Sequence, residues 1–226
     1  MATRVDPSLM YDLKEYGAVD IEKCFNCGNC TAICPLTSTD HPFPRDMIRM
    51  VQLGLDENLK ESVDPWLCYY CGDCSLTCPK QAEPGETMMA VRRWLTAQYD
   101  WTGLAGKFYT SKLWEFGAMI ITAIFIFILA AILHGPIVTT SVELNTFAPV
   151  ELMHAADWIM AAGLVFFIGT NILRMHHYVI KKGSLVKVPL SVYITEAWHF
   201  IINLLTQKRW SECAADEEDP KEKNNK

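Results

Sequence analysis

A chain of 226 residues with 20 basic and 26 acidic side chains, net charge −6, has the length for one or two small domains. An acidic excess without any long basic run excludes nucleic acid as a partner. The charge is unevenly spread: residues 1–112 hold most of it together with eight of the nine cysteines, whereas residues 116–133 hold none. A charged head joined to a membrane part explains that split.

The opening stretch MATRVDPSLMYDLKEYG carries acids and no apolar core, so it is not a secretory signal peptide. The head is therefore expected in the reducing cytosol, where clustered cysteines serve as ligands rather than disulfides. Residues 24–35, CFNCGNCTAICP, and residues 68–79, CYYCGDCSLTCP, both fit C-x2-C-x2-C-x3-C-P. Three thiolates two residues apart can wrap a tight loop around three corners of an iron–sulfur cube, with the loop amides facing the sulfides. Gly28 and Gly72 follow each second cysteine, where the backbone must bend closely past the cluster. The pattern resembles the run of bacterial two-cluster ferredoxins, in which the fourth cysteine serves the other cluster. That resemblance assigns Cys24, Cys27, Cys30 and Cys78 to one [4Fe–4S] cluster, and Cys68, Cys71, Cys74 and Cys34 to a second. Zinc sites usually take two C-x2-C pairs per ion, whereas each run here has three closely spaced cysteines.

The 33 residues between Cys34 and Cys68 are too many for a compact β-hairpin ferredoxin. Within them, PRDMIRMVQLGLDENLKES places Met47, Met50, Val51 and Leu55 at helical spacing, with Gly54 and Asp56 near the end. A second helix is predicted over residues 84–99, with Pro84 in its first turn. Met47, Met50, Met88 and Met89 read as core filler around the clusters. Trp66, Tyr69 and Tyr70 read as packing that keeps water off a cluster rather than as an electron path. A doubled run separated by helices resembles the α-helical ferredoxin domain. More narrowly, it is similar to the C subunit of heterodisulfide reductase over about the first hundred residues.

Residues 116–133, FGAMIITAIFIFILAAIL, form a first membrane span, with Tyr109 and Trp114 suited to its near interface. A second candidate runs from about Pro149 to Leu173, returning as the other half of a hairpin. The connector between His134 and Asp157 has no Lys or Arg but carries Glu143, Glu151 and Asp157. Arg92, Arg93, Lys107 and Lys112 precede the first span, and Arg174, Lys181, Lys182 and Lys187 follow the second. The positive-inside bias therefore puts both chain ends, and the cysteines, on the cytoplasmic side of the cell's inner membrane. VPLSVYITEAWHFIINLLTQKRW, residues 188–210, reads as an amphipathic interfacial helix, since Glu196 is costly in a third crossing.

The expected architecture is all-α. A dicluster ferredoxin domain occupies residues 1–105 and a membrane domain residues 106–212, with spans at about 114–134 and 149–174 and the amphipathic segment at about 188–208. Residues 213–226 are a disordered charged tail, and Cys213 is a plain cysteine without a role.

Five of six histidines lie in or beside the membrane part. No C-x2-C-H occurs, which excludes haem c and leaves b-type haem on two imidazoles. His154 and His176 return to within about 40° of one helix face and stand ~33 Å apart, fit to serve two haems rather than share one. His134 and His199 are weaker candidates, and His177 points away from that face.

A heterodisulfide-reductase-C-like ferredoxin joined to a membrane domain resembles the membrane subunit of the quinone-interacting membrane-bound oxidoreductase complexes of sulfate-reducing organisms. The resemblance implies two [4Fe–4S] clusters, haem b, and electron exchange between membrane quinone and flavin- and iron–sulfur-containing subunits serving adenylylsulfate reduction. Such subunits carry further membrane helices, so the expectation here is a truncated or split version completed by a companion membrane chain. No Gly-rich dinucleotide fingerprint or phosphate loop is present, so hydride chemistry belongs to a partner. The rival readings are a membrane-anchored heterodisulfide reductase subunit, and an assembly or sensing module with structural clusters.

Overall fold

The computed structural model describes residues 4–134, 149–182 and 188–206, and those residues form helices and turns without a strand. The chain divides into two compact units, Met1–Ser184 and Leu185–Lys226. The predicted all-α class holds.

In the first unit, short helices surround one long one. They are α1 (Leu9–Glu15), α2 (Asn29–Ile33), α3 (Arg45–Gln52), α4 (Asp56–Glu61), α5 (Asp64–Leu67) and α6 (Asp73–Leu76), followed by the long α7 (Pro84–Tyr99). The observed bounds of α7 are those predicted, with Pro84 at its start, where a missing N–H is harmless. It packs against α1, α3, α4, α5 and α6. Met88, Val91, Trp94 and Leu95 of α7 meet Leu9 and Leu13 of α1, Met47 and Val51 of α3, and Leu59 of α4 in one buried core. Of the four methionines assigned to the core, Met47 and Met88 are fully buried, while Met50 and Met89 pack against its edge.

The stretch containing Leu55 does not continue α3. Gly54 adopts φ +69° between α3 and α4, and Leu55 caps the start of α4. A Cβ on Gly54 would stand 2.1 Å from the Asp6 carbonyl oxygen, and the Asp6 amide donates to the Gly54 carbonyl at 2.7 Å. The break therefore ties the N-terminal segment to the head, a long-range contact that helical periodicity does not reveal.

After α7, the Asp100 carboxylate accepts from the amides of Thr102 (2.9 Å) and Ala105 (2.8 Å), turning the chain into α8 (Leu104–Thr110). Next comes α9 (Lys112–Leu133), whose 22 residues reach ~33 Å, enough for a ~30 Å hydrocarbon layer. α10 (Val150–His176) then runs into a π-helical turn, His177–Lys182. Two helices among the described residues are thus long and apolar enough to cross a membrane, at mean hydropathy 2.8 and 1.6. Neither is buried, and Ile121 and Phe127 of α9 are 69% and 74% exposed. Apolar surface on that scale marks contact with lipid or with other helices.

The second unit contains α11 (Leu190–Thr206), which carries Glu196 and His199 within the segment read as amphipathic. The connector with Glu143, Lys187, the end of the amphipathic segment, Cys213 and the charged tail lie outside the described residues.

Candidate metal centre

The two cysteine runs fold into the same loop twice. Cys24 and Cys68 are both extended, at φ −72°, ψ 117° and φ −63°, ψ 123°. The residues before the second cysteines, Asn26 and Tyr70, have φ +59° and +57°. The glycines after them, Gly28 and Gly72, have φ +88° and +87°. A left-handed residue on each side of the second cysteine reverses the chain tightly, and glycine takes that conformation without a Cβ penalty. Each glycine carbonyl then accepts the first amides of a short helix: Gly28 from Thr31 and Ala32, Gly72 from Ser75 and Leu76, all at 3.0–3.1 Å.

Different side chains hold the two loops. The Gln52 amide donates to the Cys24 carbonyl at 2.8 Å and accepts from Asn26 at 2.7 Å. On the second loop Arg92 donates from Nε to the Pro65 carbonyl at 2.6 Å. Its Nη2 donates to the carbonyls of Trp66 and Cys68. One anchor is a neutral amide; the other is a guanidinium. Neither was singled out from the sequence. Arg92 counted there only as a charge, and nothing local marks Gln52.

Contacts also cross between the loops. Asn29, beside Cys30, donates to the Thr77 carbonyl at 2.5 Å, which brings the segment containing Cys78 against the first run. Lys80 sits 5.8 Å from the ring centroid of Phe25, between Cys24 and Cys27. Cys34 of the first run lines one cavity together with Cys68, Cys71 and Cys74 of the second, alongside Tyr69, Tyr70 and Gly72. That cavity has an empty volume of about 410 Å³, its open mouth included. Tyr69 and Tyr70 form part of its wall while remaining 62% and 47% exposed, so they shield it only on one side. Trp66 is not in that wall: it turns toward the core and stacks on Tyr99 at 6.3 Å.

All eight head cysteines are free thiols. Burial pushes the Cys30 thiol up, and the neighbouring Cys24 and Cys27 add to the shift. Cys74 is pushed up to about 11, by burial first and then by Cys30, Cys68, Cys71 and Cys34 around it. Thiols that disfavour one another's charge in this way are held as thiolates by a cation placed among them. Four of the thiols, Cys34, Cys68, Cys71 and Cys74, line one cavity and supply the four-thiolate donor set of a [4Fe–4S] cluster. The Ala82 amide donates to Cys78 Sγ at 3.4 Å, the kind of hydrogen bond that offsets thiolate charge in iron–sulfur sites.

Residues 20–82 match the 4Fe-4S dicluster domain. The dicluster segment thus begins just before the first run and ends just after the second, enclosing both loops and both crossing contacts. The chain is also similar to a protein of Archaeoglobus profundus described as like the C subunit of heterodisulfide reductase, 32% identical over 116 residues. That alignment covers 51% of this chain, which spans 61% of the length of the relative. The chain is therefore similar to an iron–sulfur electron-transfer subunit.

The histidines lie apart from this centre. His154 and His176 are both on α10, near its opposite ends, the helix running past the predicted span to include His176; His154 is exposed and His176 half-buried.

Proposed function

We propose that this chain is an electron conduit between the quinone of the cell's inner membrane and cytoplasmic redox partners. One [4Fe–4S] cluster is held by Cys24, Cys27, Cys30 and Cys78, the second by Cys68, Cys71, Cys74 and Cys34. When bound, such clusters supply one-electron transfer at potentials set by hydrogen bonds and burial. The chain's own residues position the thiols: Gln52 and Arg92 fix the first cysteine of each run, and Asn29 draws the fourth cysteine of the second run across. The observation that carries the reading is the joining, in one compact unit, of a four-cysteine cavity built from both runs and the long apolar helix α10.

In this reading α9 and α10 cross the membrane as a hairpin, α11 lies along its cytoplasmic face, and both termini face the cytoplasm. Flavin- and iron–sulfur-containing subunits dock on the head and serve adenylylsulfate reduction. His154 and His176 are the haem b ligands on α10. The test is anaerobic stopped-flow spectroscopy of the native membrane complex. Exchange with a bilayer-soluble quinone should change the clusters' visible absorbance within the turnover time, and clusters inert to quinone in either direction would overturn the conduit. A pyridine haemochrome assay without haem b would remove the histidine assignment alone.

The similarity to a protein named for heterodisulfide reductase favours a second reading, a membrane-anchored subunit exchanging electrons with a thiol–disulfide partner. The subunits that copurify with the chain separate the two.

A further inference from the structure

The two loops are not equally connected to the apolar helices. Trp66, two residues before Cys68, stacks on Tyr99 at 6.3 Å, and Tyr99 lies 5.7 Å from Tyr178, in the π-helical turn that ends α10. Arg92 closes the near end of this path, with its guanidinium 6.0 Å from the Trp66 ring and bonded to the Cys68 carbonyl. At the far end Arg174 of α10 donates to the Tyr99 carbonyl at 2.7 Å. The Tyr99 hydroxyl donates to the Lys60 carbonyl at 2.8 Å, and the residue is 3% exposed. Burial pushes that hydroxyl up to about 12, so it stays a neutral donor at any physiological pH. Tyr99 is thereby fixed on four sides, by two rings and two hydrogen bonds.

The first loop has no comparable link among the described residues. The nearest aromatic contact toward the other apolar helix is Tyr16 with Tyr109 of α8, 6.4 Å apart. Tyr16 stands eight residues before Cys24 and touches α8 rather than a spanning helix.

From this asymmetry we infer that the Cys68, Cys71, Cys74 and Cys34 site is the membrane-side station of the conduit, and that Trp66, Tyr99 and Tyr178 are the positioning residues that seat it on the end of α10. The inference rests on the conduit reading. Electrons exchanged with quinone pass this site first, and the Cys24, Cys27, Cys30 and Cys78 site exchanges with the cytoplasmic partner. In the oxidising direction each reduced cluster gives up one electron. Two electrons and two protons from solvent convert one quinone to quinol.

The experiment uses native membranes holding the full complex. The clusters are reduced with dithionite, mixed with a short-tailed naphthoquinone that partitions into the bilayer, and frozen at intervals for EPR. In the wild type both cluster signals should disappear; if neither does, the conduit reading itself fails. In Cys27→Ala the second cluster should be re-oxidised at the wild-type rate, whereas in Cys71→Ala the first cluster should stay reduced. Fast re-oxidation of the first cluster without the second, or a stalled second cluster without the first, would overturn the order.

Tyr178→Ala tests the same claim with every cysteine in place. It should slow re-oxidation of both clusters by about tenfold or more, the scale of a misplaced reaction partner, without altering iron content or either potential. Tyr178→Phe should restore the rate, because it keeps the ring that packs on Tyr99. A wild-type rate in Tyr178→Ala would overturn the seating role.

Discussion

The two cysteine loops have nearly the same backbone and very different surroundings. Their first cysteines, left-handed residues and short helices agree in kind, dihedral by dihedral. Yet a neutral amide steadies the first loop while a guanidinium steadies the second. A duplicated sequence motif thus specifies how thiols are presented, and the non-duplicated chain around it makes the two sites distinct. That distinction gives the two cysteine sites different neighbours.

The comparison breaks most visibly if iron is removed. Ligand binding energy in such sites adds to folding energy, so anaerobic chelation should destabilise both loops together, seen as a lower urea midpoint and faster amide exchange around residues 20–82. Loss of one loop alone would contradict the crossing contacts from Asn29 and Lys80. Next in size, Cys30→Ala should remove about four of eight irons and leave one cluster's EPR signal, if the protein still folds. Because Cys30 is buried and Cys71 exposed, Cys30→Ala should also lower the melting temperature more than Cys71→Ala.

The metal-free head offers a pH test of the same two sites. Cys30 and Cys74 hold their protons more tightly when folded, Cys74 up to about 11 against an ordinary 9.0. The folded chain then carries more protons than the unfolded one between those values, so stability must fall as pH rises through them. Anaerobic urea midpoints should be level below pH 9.0 and decline toward about 11. A midpoint that rises with pH would show that the thiols are not crowded as described.

The anchors and turns give a smaller, graded contrast. Arg92→Met removes charge-assisted bonds to three carbonyls and should cost about 1.5–3 kcal/mol in denaturant unfolding. It should also lower the potential of only the second cluster, since a nearby cation favours the reduced form; an unchanged potential would make the guanidinium a purely structural anchor. Gly28→Ala and Gly72→Ala should each cost about 1–2 kcal/mol for a left-handed backbone. The smallest loss, about 0.5–1.5 kcal/mol, is expected from Gln52→Ala, as for a neutral hydrogen bond.

The cysteines and the long helix were legible in advance because both are local signals: a fixed spacing, and a proline followed by an apolar face. The bounds of α7 needed nothing more. What stayed hidden depends on residues far apart in sequence. Gln52 acquires its role by standing 28 residues from Cys24, and Gly54 by the approach of Asp6. Trp66 was read as a shield because it sits near Cys68, but chain proximity does not fix which way a ring turns. The ring turns toward Tyr99 because the buried face of α7 offers it an apolar surface, while the cavity side is open to water.

The cavity walled by Cys34 on one side and Cys68, Cys71 and Cys74 on the other has a consequence for how the protein is made. A nascent chain that has emerged only as far as α5 contains one wall and nothing to close it. Closing that pocket has to wait until the ribosome has delivered both halves, and the apolar α9 then follows with only 12 residues between the end of α7 at Tyr99 and its own start at Lys112.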